Sequence, residues 1–340
     1  MSSRVTAEQV AQRAGVSQSA VSRVFTPGAS ASPRTADKVR RAAAELGYRP
    51  NVLARAMVSG KSRIIGLVVA YLQNHFYPEA LEKLSNELQE QGYHVLVFMA
   101  SQTAGNIDKV VDEILDYQVD GIIAASVALS SDLTERCRAA GVPIVLFNRS
   151  QDGDEISAVT SDNRAGGRKA AEFLLAGGHE RIGYIAGWEG ASTQRDREAG
   201  FLDGLASAGR NLHARTSGSF DTEKARNAAR EMFADPTDRP DAVFVANDHM
   251  AFAVMDVLRS ELGLNVPNDV SVIGYDDVPV AAWPAYSLTT VRQPANRMVA
   301  HTVEIILDKI DNANVEPRQV RIDGPLIVRG SARIPEGWKT

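Results

Sequence analysis

Along this 340-residue chain the apolar positions follow two different periods. In the first fifty residues they recur at helical spacing: Val10, Ala11 and Ala14, then Val16, Val21 and Val24, then Val39, Ala42, Ala43 and Leu46. From Ser62 onward they collect into short runs rich in branched side chains, at 64–69, 95–99, 121–125, 144–147, 182–186, 242–245 and 270–273. Amphipathic stretches at 78–91, 107–117, 165–175, 197–208 and 250–262 lie between them. Strand-like runs alternating with helical ones predict parallel sheets covered on both faces. That number of strands over about 280 residues predicts an α/β core of two doubly wound lobes, behind an all-α N-terminal head.

Local signals divide the head. Thr6 can cap a first helix, with Gln9 completing a capping box three residues on. Gly15 supplies a tight turn and Ser17 can cap a second helix. Val16, Val21 and Val24 then face inward, and Gln18, Ser19, Ala20, Ser22 and Arg23 face solvent. A third helix opens at Ser32-Pro33 and ends before Gly47. Two short helices around a glycine, the second slim and polar outside, spell a helix-turn-helix, whose second helix enters a DNA major groove. After Tyr48-Arg49-Pro50, Asn51 can cap a segment running from Val52 to Val58, too short to hold as a free helix. The expected organisation is a head at 1–50, a joint at 51–61 and a core at 62–340. Within the core, one lobe takes 62–161 and 291–325, the other 162–290 and 326–340.

Charge sharpens this picture. Between Met1 and Lys61 ten lysines and arginines stand against three acids, a net of +7. The whole chain carries −5, so the remainder carries −12. A cationic head on an anionic body suits a separate phosphate-binding module.

Other chemistry is scarce. The single cysteine, Cys137, rules out an intramolecular disulfide and reads as a small core residue in a helix. The first residues are polar and show no export signal, and no apolar run is long enough for a bilayer, so a cytoplasmic protein is expected. No G-x-G-x-x-G follows the first core strand, and Arg55 stands where a phosphate loop ending in Gly60-Lys61-Ser62 needs its first glycine. His75, His179 and His249 lack metal-ligand spacing. No catalysis, metal or cofactor is expected.

The chain resembles the lac/gal repressor family of bacterial transcription regulators over nearly its whole length. The matching stretches are Val10-Ala-Gln-Arg-Ala-Gly-Val-Ser17, Val21-Ser-Arg-Val24, Leu46-Gly-Tyr-Arg-Pro-Asn51 and Gly178-His-Glu-Arg-Ile-Gly-Tyr184. Three more are Val245-Ala-Asn-Asp-His-Met250, Val270-Ser-Val-Ile-Gly-Tyr-Asp-Asp277 and Leu288-Thr-Thr-Val-Arg-Gln-Pro294. The resemblance implies a DNA-binding head, a hinge helix and a core with the fold of periplasmic sugar-binding proteins. It also implies a homodimer on a near-palindromic operator and a small effector between the lobes.

By position, Gln18, Ser19 and Ala20 match the base-reading stretch, followed by Ser22 and Arg23. Gln suits adenine, Arg suits guanine and Ala suits a thymine methyl. Thr6, Ser17 and Ser22 are assigned to the DNA contact as well. For Ser17 and Ser22 the partners are phosphates, and Ser17 doubles as a helix cap. In the hinge, Asn51, Ala54 and Arg55 flank Met57, which stands where the family carries a leucine wedge for the minor groove.

For the effector, Arg197, Asn247 and Asp276 match ligand-bonding positions, and Ser126, Asn148 and Arg149 join them at strand ends. Phe76, Tyr77, Phe220 and Trp283 occupy or neighbour aromatic positions of the pocket, with core packing the rival role for Phe220. Asp248 and Asp277 read as helix-cap or turn residues. Arg149 and Arg197 together would favour an anionic ligand, unless Arg149 pairs with Asp152, Asp154 or another local acid. Ala191 stands where purine-responsive relatives carry an extra arginine, which disfavours a purine. The expected effector is a sugar, sugar acid or sugar phosphate. The expected function is repression of a carbohydrate catabolism or uptake operon. A solute receptor with the same core is the rival, but it calls for an export signal and no basic head. The tail after Ser331 shows no leucine heptad, so a dimer is expected, with helices near 78–87 and 250–258 as interface.

Overall fold

The computed structural model describes residues 5–26, 29–49, 61–100, 104–126, 131–153 and 155–338, with backbone alone for 104–109 and 131–133. Residues 1–63 and 64–340 form two compact units. The expected hinge residues Asn51, Ala54, Arg55 and Met57 lie outside the described residues.

The first unit is a three-helix head. Helix α1 (Ala7–Ala14) starts with a complete capping box: Gln9 N–H donates to Thr6 Oγ1, and Thr6 N–H to Gln9 Oε1. Gly15 ends it at φ 67°, a left-handed conformation that a glycine adopts without strain. Helix α2 (Gln18–Phe25) is capped by Ser17, whose Oγ accepts from the Ala20 N–H at 3.2 Å. Helix α3 (Pro33–Leu46) carries Ser32 as cap and Pro33 in its first turn. Val10, Val21 and Val39 are fully buried, one from each helix, with Ala11, Ala42 and Ala43 filling the space between. On the surface Arg13 ties α1 to α3 through Glu45 at 2.7 Å.

The second unit holds two six-stranded sheets. In the first, strands run in the order β11-β5-β4-β3-β1-β2, all parallel. They are β1 (Ile64–Val69), β2 (His94–Met99), β3 (Gly121–Ala125), β4 (Ile144–Phe147), β5 (Ser157–Ser161) and β11 (Gln319–Ile322). Helices α4 (Phe76–Glu90), α5 (Ala104–Asp116), α6 (Ser131–Ala139) and α11 (Ala295–Asp311) belong to this lobe. The second sheet runs β12-β10-β9-β8-β6-β7, parallel except for β12. Its strands are β6 (Ile182–Ala186), β7 (Ala214–Ser217), β8 (Ala242–Val245), β9 (Ser271–Asp276), β10 (Thr289–Arg292) and β12 (Leu326–Ile327). Helices α7 (Asn163–Ala176), α8 (Ser192–Ser207), α9 (Thr222–Met232) and α10 (Asp248–Asp256) belong to this lobe.

Strands β1, β3, β4, β6, β8 and β9 are buried at every position, which is why they read as unbroken apolar runs. Three chain segments cross between the sheets, after β5, β10 and β11, and hydrogen bonds join them: Asp162 N–H to Ile322 O at 2.8 Å and Arg292 N–H to Pro325 O at 2.9 Å. Helices α7 and α8 lie backbone to backbone. A Cβ on Gly200 would sit 1.9 Å from the Arg164 carbonyl oxygen, and one on Gly167 2.1 Å from that of Arg197. Arg197 therefore sits in the second turn of α8, at the helix contact, whereas the sequence suggested that it opens the helix. Cys137 is buried, and burial pushes its thiol up to about 11. No helix among the described residues is long and apolar enough to cross a membrane.

Candidate functional site

On the head, Thr6, Ser17, Gln18, Ser19, Ser22 and Arg23 are exposed, whereas Ala20 is half-buried. Ser17 spends its side chain on the cap and on a 2.9 Å bond with the Ser19 hydroxyl, which fixes both at the N-terminus of α2. Gln18, Ser22 and Arg23 remain as a row of long and short polar groups along one helix face.

The core site forms where the carboxyl ends of strands from both sheets converge, the place where doubly wound sheets hold ligands. Backbone geometry marks it. Ser126 (φ 62°), Asn148 (69°), Phe220 (60°), Asp276 (129°) and Asp277 (58°) all take left-handed conformations at or just beyond the carboxyl ends of β3, β4, β7 and β9. Such conformations cost about 1–3 kcal/mol each and concentrate at functional sites.

The first sheet contributes a polar floor. Ser126 and Asn148 follow Ala125 and Phe147, which are paired in register, so the two side chains are neighbours. Asn148 donates through Nδ2 to the Tyr77 hydroxyl at 2.9 Å, leaving its carbonyl oxygen unpartnered. Ser126 Oγ is also buried without a partner, and so are Nε and Nη1 of Arg149. Tyr77 packs edge-on against Phe76 and Tyr71, and Phe76 stacks on Phe147 at 6.2 Å. Tyr71 is a site residue that sequence reading missed. Burial, then the neighbouring Tyr77, raises its hydroxyl above the ordinary tyrosine range.

The second sheet contributes a saturated wall. Arg197 donates through Nε to Asn163 Oδ1 at 2.8 Å and through Nη1 to the Ala246 carbonyl at 2.6 Å. Its Nη2 lies 3.5 Å from Asp276, and its guanidinium sits 3.7 Å over the Tyr275 ring. Burial pushes the Tyr275 hydroxyl up to about 12, with Arg197 opposing. Asp276 also accepts from Asn74 at 3.1 Å and Gln293 at 2.7 Å; burial still holds it above the usual carboxylate range. Of the two guanidiniums expected at the cleft, Arg197 is engaged through all three nitrogens, while Arg149 keeps Nε and Nη1 unpartnered. Of its expected acidic partners, Asp152 pairs instead with Arg195 at 3.2 Å on the rim, and Asp154 lies outside the described residues.

Helix caps are also reassigned. Asn247, not Asp248, caps α10, with its Oδ1 accepting from the Met250 N–H at 3.0 Å. Asp248 is buried and accepts from the Thr290 hydroxyl at 2.6 Å and the Val278 N–H at 3.0 Å. Burial, then the Asp276 charge, pushes it up to about 8. Asp277 holds Arg292 and Arg329, each at 2.6 Å. Phe220 is buried against Gly187, where a Cβ would meet its ring at 2.2 Å, so it closes one end of the site by packing. Trp283 is 56% exposed and has no ring contact among the described residues.

Among the described residues, contacts that bridge the lobes include Asn74 to Asp276, the Ser150 N–H to Ser192 Oγ at 3.0 Å, Arg195 to Asp152, and Arg149 to the Trp188 ring at 5.4 Å. Trp188 was not among the expected site residues; it lies just beyond β6, and only the fold brings it to Arg149.

A polar cleft between two parallel-sheet lobes, carried by a chain that also folds a helix-turn-helix head, defines a ligand-responsive transcriptional regulator rather than an enzyme. Comparison with known proteins agrees. Residues 6–51 match the model described as bacterial regulatory proteins, lacI family, and residues 156–332 match a periplasmic binding protein-like domain. The chain belongs to the lacI family of bacterial regulatory proteins. It is 30% identical over 334 residues to the HTH-type transcriptional repressor PurR of Photobacterium profundum, covering 96% of this chain and 98% of that one. It resembles the structure of the Lac repressor dimer bound to operator and the anti-inducer ONPF, with TM-score 0.87, 28% identity and 97% and 99% of the two chains covered. It also resembles a complex of the transcriptional regulator CelR with cellobiose, with TM-score 0.74, 31% identity and 97% and 100% covered.

Proposed function

We propose that this protein represses a carbohydrate catabolism or uptake operon, binding a near-palindromic operator as a homodimer under control of a small polyhydroxylated effector. The reading divides the chain into a reader at 1–50, a joint at 51–61 and a sensor at 62–340, acting in the cytoplasm. The observation that carries it is the group of four buried, unpartnered polar atoms on Ser126, Asn148 and Arg149. Buried polar atoms are normally satisfied, and leaving one unpaired costs about 1–3 kcal/mol. Hydroxyl groups both donate and accept, so a sugar can complete Ser126 Oγ, Asn148 Oδ1 and the arginine together, while Phe76 and Tyr77 offer it apolar contact. The CelR complex with cellobiose and the Lac repressor on its operator support both halves of the reading.

In the head, Gln18, Ala20 and Arg23 are assigned to bases, and Thr6, Ser17, Ser19 and Ser22 to orientation on the duplex. Asn51, Ala54, Arg55 and Met57 keep the hinge roles that the resemblance implies. In the core, Phe76, Tyr77, Ser126, Asn148 and Arg149 touch effector, whereas Arg197, Phe220, Asn247 and Asp276 shape and close its pocket. Control follows from differential affinity: an effector that favours one lobe arrangement biases the chain toward the DNA affinity of that arrangement.

A thermal-shift panel of sugars, sugar acids and sugar phosphates tests the reading, because a bound ligand raises stability with concentration. A hit should change operator affinity and lose its shift in Ser126→Ala and Asn148→Ala. A hit whose shift survives both substitutions places the effector elsewhere.

A further inference from the structure

We propose that the effector is an anion, a polyhydroxylated molecule carrying a carboxylate or phosphate, and that Arg149 beneath the Trp188 ring is its anion subsite. The proposal rests on the cleft reading above and adds the charge of the ligand. Arg149 is only 4% exposed, yet no carboxylate pairs with it among the described residues. The acids within the cleft are committed elsewhere: Asp276 to Arg197, Asn74 and Gln293, and Asp152 to Arg195. Among the described residues, the one carboxylate within ion-pair distance of either buried guanidinium is Asp276, which lies against Arg197, so the surplus positive charge rests on Arg149. A buried charge without a counter-ion is strongly unfavourable, and a ring face offsets only part of that cost.

Trp188 is held for this contact. The loop that carries it is pinned by Gln194, whose Oε1 accepts from the Gly187 N–H at 2.6 Å and the Tyr184 hydroxyl at 2.9 Å. Arg215 clamps Glu189 and Glu198 at 2.5 Å, fixing the loop's outer edge. A Cβ on Gly190 would lie 2.4 Å from the indole, so only glycine lets the ring settle there. The guanidinium carbon lies 5.4 Å from the indole centroid, a contact that consumes no N–H, so Nε and Nη1 stay unpartnered and suit the paired oxygens of a carboxylate or phosphate. Asn148 Oδ1, an acceptor without a donor, demands a hydroxyl beside that anion.

Thermal shifts at constant ionic strength on the full chain test this, with D-gluconate, D-glucuronate, glucose 6-phosphate and D-glucose as probes. Without any probe, Arg149→Met should melt a few degrees above wild type, because it removes an uncompensated buried charge; a melt several degrees lower overturns the proposal. With probes, at least one acidic sugar should stabilise wild type beyond glucose, and the excess should vanish in Arg149→Met. The carboxylate and phosphate probes identify which oxyanion is taken. No shift from any acidic probe, or a shift that persists in Arg149→Met, also overturns it. A glucose shift equal to the acids' and lost in Asn148→Ala removes the anion while leaving the cleft reading intact.

Discussion

The Asn74 side-chain amide reaches across the cleft and donates to the Asp276 carboxylate at 3.1 Å, while its Oδ1 accepts from the Phe76 N–H at 3.0 Å. One residue thus starts α4 in one lobe and latches the other. Asn74→Asp keeps the acceptor for the helix start but sets a carboxylate against Asp276. Like charges at that distance repel, and the closed cleft should weaken. Effector affinity should fall about 10-fold or more at pH 8, equivalent to about 1.4 kcal/mol, and recover in part at pH 5. Calorimetric titration at the two pH values measures it; an unchanged affinity at pH 8 removes the latch.

Asp248 makes stability depend on pH in an unusual direction. Its folded-state pKa of about 8 lies above the usual aspartate value, so the native protein holds a proton that the unfolded chain has released. Its contribution is complete below about pH 4 and is lost as pH rises toward 8, with a slope of at most about 1.4 kcal/mol per pH unit. Asp248→Asn keeps the shape without the titration. Melting curves between pH 5 and pH 8 should fall less steeply for the variant, and parallel curves would refute the assignment.

The approach of α7 and α8 holds Arg197 in place. Gly200→Ala would push a methyl group to 1.9 Å from the Arg164 carbonyl, a backbone atom that cannot swing aside. Destabilisation of at least about 3 kcal/mol is expected, with effector binding lost through displacement of Arg197. Chemical denaturation followed by circular dichroism reads the first effect directly.

The Cys137 thiol, pushed up to about 11 by burial, should stay unreactive toward a thiol-specific dye at pH 8 in the native protein. In denaturant it should react at the rate of an ordinary cysteine. Rapid labelling of native protein would place this residue at an open surface.

Much of the fold was legible because burial imposes continuous apolar runs: β1, β3, β4 and β6 appear in the sequence at their observed bounds. Strands β5, β7 and β10 were not singled out, because serine, threonine and arginine dominate them, and β11 was not, because its two apolar residues alternate with Gln319 and Arg321. In β5 those polar side chains are buried and satisfied, Ser157 by the Arg318 N–H and Ser161 by the Tyr275 hydroxyl. Edge strand β7 alternates exposed with half-buried positions. The head was the most readable part, since caps and turns are local chemistry. Individual roles in the cleft were less readable, because they depend on partners far away in sequence. Arg197 and Arg149 look alike in one dimension; the fold sets each over an aromatic ring but, of the two, gives polar partners on all three nitrogens to Arg197 alone.

The central claim is that a cationic reader and an anion-poor sensor cleft divide the work of one regulator. Duplexes selected from a random library with the full chain can be titrated against both the full chain and residues 62–340, at about 50 and 200 mM salt. The full chain should bind them with affinity that falls steeply with salt, as phosphate contacts require, and the shortened protein should not bind. Equal affinity of the two proteins for the selected duplexes would contradict the account.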